Sequence, residues 1–145
     1  MRTLIEIGPE RFGELAALHR AYKEEIGEDA PAQADMESLN AALAAGRIRF
    51  FGCDENGTLV GCCSVCVTYS TFNYAAAGVF EDFYILPEFR HTGIARALTA
   101  FAYKKSAVSS LMVGSAECDV EMYSAIGFRA PLGKLLAYVP AENGE

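Results

Sequence analysis

Residues Leu86 to Leu98 read Leu-Pro-Glu-Phe-Arg-His-Thr-Gly-Ile-Ala-Arg-Ala-Leu, and this stretch sets the frame for the whole chain. An apolar run, Val79 to Leu86, stops at Pro87, which has no N–H to donate to a sheet ladder and so closes a strand. Beyond it, Ile94, Ala97, Leu98 and Phe101 recur at helical spacing. The pattern predicts a helix whose first turn holds Arg90, Gly93 and Ala95. Gly93 and Ala95 keep that turn bare, so a ligand can approach its unpaired backbone N–H groups. Helix N-termini bind phosphate through such groups and through the positive end of the dipole.

Working outward, Thr3 to Ile7 predict a short strand. Phe12, Leu15, Leu18, Tyr22 and Ile26 then mark an amphipathic helix that stops near Gly27. Met36, Leu39 and Leu43 mark a second helix, closed by Gly46. Arg47 to Cys53 and Leu59 to Tyr69 predict two strands around an Asn56-Gly57 hairpin signal. The second of these is apolar on both faces, as a central strand is. Leu111 to Gly114 predicts a strand, Asp119 to Ile126 a short helix ended by Gly127, and Leu135 to Val139 a last strand. The order β-α-α-β-β-β-α-β-α-β is that of a single α/β domain over residues 1–140 with a mixed sheet, and residues 141–145 are expected to fray.

Composition narrows the partners. The chain has 145 residues, 52% hydrophobic and 21% charged, enough for one domain with a substantial core. Twelve basic against 19 acidic residues give a net charge of −7. That field disfavours nucleic acid and anionic membrane and favours cationic partners, although acidic surface also serves solubility alone. The cysteines are Cys53, Cys62, Cys63, Cys66 and Cys118. An odd count crowded onto one strand is not a disulfide framework, and Cys63 and Cys66 fall on opposite faces of a strand. Reduced structural thiols imply a reducing compartment, and a cytoplasmic setting is expected. Glu6, Pro9 and Glu10 interrupt any signal-peptide core, and no apolar stretch reaches spanning length. His19 and His91 have no ligand partner in sequence, so no metal is expected. A Ser-His-Asp hydrolase would need a nucleophile elbow that is absent.

The spacing Arg90-x-x-Gly93-x-Ala95 resembles the phosphate-loop signature of the GNAT acetyltransferase family, which cradles the pyrophosphate of acetyl-CoA. Three more segments fit the same family. Tyr69-Ser70-Thr71-Phe72 followed by Phe80-Glu81-Asp82-Phe83-Tyr84-Ile85 resembles the diamine and polyamine acetyltransferase branch. Tyr123-Ser124-Ala125-Ile126-Gly127-Phe128 resembles the family's Tyr-x-x-x-Gly-Phe. The likeness runs from Leu59 to Phe128. It implies a mixed, splayed β-sheet flanked by helices, with acetyl-CoA entering the gap beside the fourth strand. The chain departs from the family pattern at His91 and Ala95, where glycine is common, and at Ala116 and Asp119, where asparagine and alanine are usual.

The resemblance assigns roles residue by residue. Tyr84, Ile85, Arg90, His91, Thr92, Gly93, Ile94, Ala95 and Arg96 would bind acetyl-CoA. Glu81 would be the base, acting through water, and Tyr123 would protonate the departing thiolate. A lysine-like amine has a pKa of about 10.4, so at pH 7 about one molecule in 2,500 is neutral and a base is useful. Successive strand residues face opposite sides, so Asp82 would lie outside the immediate site or touch a second charge on the acceptor. Glu24, at the end of the first helix, would line the acceptor pocket. The plain alternatives are a core tyrosine and solvated surface charges. The expected activity is acetyl transfer to a primary amine of a small cationic molecule, with a homodimer as a possible assembly. A non-catalytic acyl-CoA-binding module and a protein lysine or N-terminal acetyltransferase are the competing readings.

Overall fold

The computed structural model describes residues 1–141. Strand β1 (Arg2–Ile7) leads into helices α1 (Phe12–Glu25) and α2 (Gln33–Ala44), and β2 (Arg49–Glu55), β3 (Thr58–Ser70) and β4 (Ala75–Ile85) follow. Helix α3 (Ile94–Lys105), strand β5 (Ser110–Val113) and helix α4 (Val120–Ile126) complete the regular structure. The strands form one five-stranded sheet in the order β1-β2-β3-β4-β5. The first four are antiparallel and β5 runs parallel to β4.

Local chemistry explains the corners. Asn56 and Gly57 take φ of 54° and 94°, the left-handed pair that a tight hairpin between twisted strands requires. From Leu59 to Val65, strand β3 is apolar on both faces because both faces are covered there, whereas Val67 and Tyr69 nearer its end are exposed. Cys62 and Leu59 pack with Leu15, Leu18 and Phe50 beneath α1 and α2, while Cys63 and Val65 pack with Phe51, Phe80, Ile94 and Leu98 beneath α3. Phe50, Phe51 and Phe80 are fully buried, and truncating any one to alanine would cost about 3–5 kcal/mol. The cysteines are unpaired, and Cys62 and Cys63 lie in opposite cores.

Three expectations need correction. The helix starts at Ile94, with Gly93 as its N-cap, so Arg90 stands ahead of it rather than in its first turn. Strand β4 starts at Ala75, earlier than the apolar run at Val79, because small residues let β3 continue alongside it as far as Ser70. Gly78 shows the closeness: a Cβ there would come within 3.0 Å of Leu111 and Val65 side chains. Finally, Leu135–Val139 is not a strand. Leu135, Leu136, Tyr138 and Val139 are 80–89% exposed. Strand propensity needs a ladder partner to be realised, and this segment lies on no strand of its own sheet. Of the expected frayed tail, Ala141 has no regular structure and residues 142–145 lie outside the described residues.

Candidate active site

The sheet opens where β4 and β5 part. Their pairing ends at Phe80 and Val113, while β4 runs on to Ile85 without a partner on that side. The Leu86 N–H donates to Val60 O at 2.9 Å. Antiparallel alternation therefore turns the polar groups of Ile85 the other way, into the opening. The Ile85 carbonyl accepts a 2.8 Å bond from Arg90 Nε there. Phe83, Tyr123 and Phe128 pack at the opening's α3 side, with Tyr123 edge-on to Phe128 at 5.8 Å between centroids and 6.4 Å from Phe83. Burial, aided by Tyr22 and Asp119, pushes the Tyr123 hydroxyl up to about 12. It thus stays protonated at neutral pH.

A bulge reshapes the other face of β4. Ser64 pairs with Glu81 and Cys62 with Tyr84, which leaves Asp82 and Phe83 together opposite Cys63. Asp82 takes φ of 52°, left-handed backbone that Asp tolerates better than most residues. The extra residue breaks the alternation. Glu81, level with Ser64, and Asp82 both present to α1, and Phe83 alone turns to α3, so the expected separation of the two carboxylates is corrected. Ser64 Oγ donates to Asp82 Oδ2 at 2.7 Å, and His19 Nδ1 on α1 lies 4.0 Å from Asp82 Oδ1. Burial pushes the His19 imidazole below its ordinary value, with Asp82 opposing. Burial, with Asp82 next, raises Tyr22.

The connection from β4 to α3 is built for an anion. His91 and Gly93 take φ of 62° and 88°. The first helical bond is Ala97 N–H to Gly93 O at 3.3 Å. The N–H groups from His91 to Arg96 make no backbone hydrogen bond among the described residues. Such successive free donors form an anion-binding concavity at the positive end of the helix. A Cβ on Gly93 would meet nothing within 4 Å. Thr92 Oγ1 braces the loop by donating to Phe89 O at 2.6 Å. Ile94 is buried and Ala95 half-buried, so both offer backbone rather than side chain.

The arginines are engaged. Arg90 Nη2 donates to both carboxylate oxygens of Glu25, at 2.8 and 3.0 Å, and its guanidinium lies 5.5 Å from the Tyr84 ring centre. Arg96 donates to Ala125 O on α4. Glu24 is exposed beside Glu25. Sequence reasoning missed Ser64 and Tyr22 and weighed His19 only as a metal ligand. Glu25, grouped with Glu24, Glu28 and Asp29 as acceptor-wall charge or a plain acidic helix end, is instead the partner of Arg90. A lone serine among apolar β3 residues was the available signal for Ser64.

A hollow of about 290 Å³ between α3 and α4 is lined by Arg96, Thr99 and Tyr103 with Gly127 and Phe128, adjoining the start of α3. A larger one, about 390 Å³, lies by Glu6, Gly8 and Arg49, away from this chemistry. Among the described residues no group of three metal-ligating side chains is gathered, and no helix is long and apolar enough to cross a membrane.

A profile of the acetyltransferase (GNAT) domain matches residues 46–130, which contain the opening, the bulge and the loop. The chain belongs to the GNAT acetyltransferase family. It is an acetyl-CoA-dependent N-acetyltransferase of that fold. No curated protein matches the sequence. Among solved structures, a probable acetyltransferase is 19% identical with a TM-score of 0.81, over 97% of this chain and 99% of the other. An aminoglycoside acetyltransferase from an uncultured soil metagenomic sample, in complex with sisomicin, is 14% identical with a TM-score of 0.80, over 97% of each chain. A predicted acetyltransferase with acetyl-CoA from Clostridium acetobutylicum is 15% identical with a TM-score of 0.75, over 95% and 96%. At these identities the likeness is one of fold. In this GNAT chain the free N–H groups ahead of α3 and the unpaired end of β4 lie side by side.

Proposed function

We propose that this GNAT enzyme transfers acetyl directly from acetyl-CoA to a primary amine of a small, cationic, diamine-like molecule. One observation carries the reading. The bulge turns two carboxylates, Glu81 and Asp82, to the same face at the open end of β4. An acidic mouth beside a loop of free N–H donors suits a cationic acceptor and an anionic donor approaching from different sides.

Acetyl-CoA supplies an activated acyl group and a thiolate leaving group. The backbone N–H groups of His91 to Arg96 hold its pyrophosphate, with Arg90 and Arg96 at the rim, and Tyr84 and Ile85 form the strand end beside its arm. The Ile85 N–H is aimed to stabilise charge on the carbonyl oxygen. Tyr123, kept protonated, gives its proton to the departing sulfur. Asp82, fixed by Ser64, holds the acceptor's ammonium, and exposed Glu81 takes the amine proton through water. Glu24 adds charge to the acceptor wall.

Thiol release measured over a panel of diamines, aminoglycosides and lysine peptides tests the reading. Turnover with diamines supports it. Turnover with peptides alone would make the chain a protein acetyltransferase, and CoA binding without turnover would make it a binding module. The unpaired thiols fit a cytoplasmic setting. The exposed apolar run Leu135–Val139 fits a homodimer, in which a second copy covers it. Light scattering reads that assembly directly.

A further inference from the structure

Four side chains that the reaction outlined above leaves partly or wholly unexplained meet on the α1 face of the bulge. Ser64 is 1% exposed and its hydroxyl donates to Asp82 Oδ2, which fixes the carboxylate and leaves Oδ1 as the oxygen nearer His19. His19 Nδ1 stands 4.0 Å from that oxygen, too far for a hydrogen bond, with the imidazole 11% and the carboxylate 21% exposed. Tyr22, one turn on, tilts against His19 at 6.1 Å and against Tyr84 at 6.2 Å. The result is a carboxylate oxygen, an imidazole and the Tyr22 and Tyr84 rings gathered on one face of β4, the carboxylate and imidazole each partly open to solvent. Carboxylate and aromatic faces together favour a cation.

We infer that Asp82, His19 and Tyr22 form an ammonium subsite for the acceptor, and that a proton on His19 closes it. This rests on the acetyl-transfer reading and deepens it by naming the groups that recognise the amine. With His19 neutral, Asp82 Oδ1 supplies the charge and the imidazole nitrogen supplies a lone pair. With His19 protonated, the imidazolium pairs with Asp82 and repels the incoming ammonium. The groups facing His19 are Asp82 on β4, Lys23 and Tyr22 on α1, and Glu28 just beyond α1. Lys23 is held by Glu28 at 2.9 Å, so its charge is largely answered there. Burial favours the neutral imidazole, so the subsite is open at neutral pH and closes on acidification.

Two variants fix the two charge states: His19→Gln is permanently neutral and His19→Lys permanently positive. In the wild type, KM for 1,4-diaminobutane should rise as pH falls below neutrality, more steeply than KM for an aromatic amine that carries no charge. In His19→Gln that extra rise should vanish. In His19→Lys, KM for the diamine should be raised roughly tenfold or more at every pH, the scale on which like charges oppose binding, with KM for the neutral amine unchanged. NMR titration of His19, assigned against a His91→Gln variant, gives a readout that needs no turnover. Added diamine should lower the His19 pKa, and Asp82→Asn should abolish that effect. A diamine that leaves the His19 titration unmoved would overturn the subsite. So would a His19→Lys enzyme whose KM rises equally for charged and neutral amines. If the wild type acetylates no amine while the diamine still moves the His19 titration, the acetyl-transfer reading fails and the subsite stands.

Discussion

Ser64 and Asp82 are joined across a β-bulge by a 2.7 Å hydrogen bond, Ser64 donating, with Asp82 held at a φ of 52°. The buried serine accounts for the direction of the carboxylate, and the bulge accounts for its face. Backbone held in that region costs roughly 1–3 kcal/mol. Asn accepts both the φ and the serine's proton, so Asp82→Asn isolates the charge. We expect it to raise KM for a diamine about tenfold or more, since a hydrogen bond to a charged group contributes ~1.5–3 kcal/mol. Glu81→Gln should act chiefly on kcat. Steady-state kinetics of the two variants side by side check the split, and the reverse pattern would exchange their roles.

Gly93→Val tests the phosphate loop. The site is sterically open, so the substitution meets no neighbour, but valine is strained at a φ of 88°. The folded loop should shift and its N–H groups should scatter. At 100 times Kd, CoA should stabilise the wild type by about 2.7 kcal/mol. The variant should lose most of that shift in a thermal melt, and equal stabilisation of both proteins would exclude the loop.

Tyr123→Phe keeps the edge-on ring contact with Phe128 and removes only the hydroxyl. It should lower kcat with little change in CoA affinity. A normal kcat would return Tyr123 to the core it packs against.

Glu25→Gln releases Arg90. The pair is partly exposed, 35% and 47%, so its contribution is about 0.2–1 kcal/mol after screening. On the proposed reading Glu25 competes with pyrophosphate for one guanidinium, so the variant should bind CoA a few-fold more tightly at low salt. Calorimetry at two ionic strengths checks the gain and its decay with salt.

Stability should fall in two stages on acidification. His19 is lowered from 6.5 by burial. Its contribution is therefore full above that value and lost as pH falls through its folded value. Glu14, lowered from 4.5 by its bond from Arg11, and Glu6, lowered by Arg49, keep theirs above 4.5 and lose it below. Melting points against pH should show both stages. His19→Gln should remove the upper one, and Arg11→Ala should weaken the lower.

The sequence by itself determined the parts that rest on short-range rules. Pro87 ends a strand, Gly27 and Gly46 end helices, Asn56-Gly57 turns a hairpin, and the two-faced apolarity of β3 marks the sheet centre. Each depends on φ, on a missing N–H or on periodicity, and each is legible without a neighbour. The free N–H groups ahead of α3 were legible for the same reason, because they follow from being the start of a helix. What depended on pairing was not. Strand alternation put Asp82 on the wrong face, since one unpaired residue opposite Cys63 inverts everything beyond it. Leu135–Val139 has the composition of a strand, but a strand exists only where another offers its edge. The bonds Ser64–Asp82 and Arg90–Glu25 join residues 18 and 65 positions apart. Only the folded sheet brings their atoms within reach, and hydrogen bonds and charges act over that distance, not along the chain.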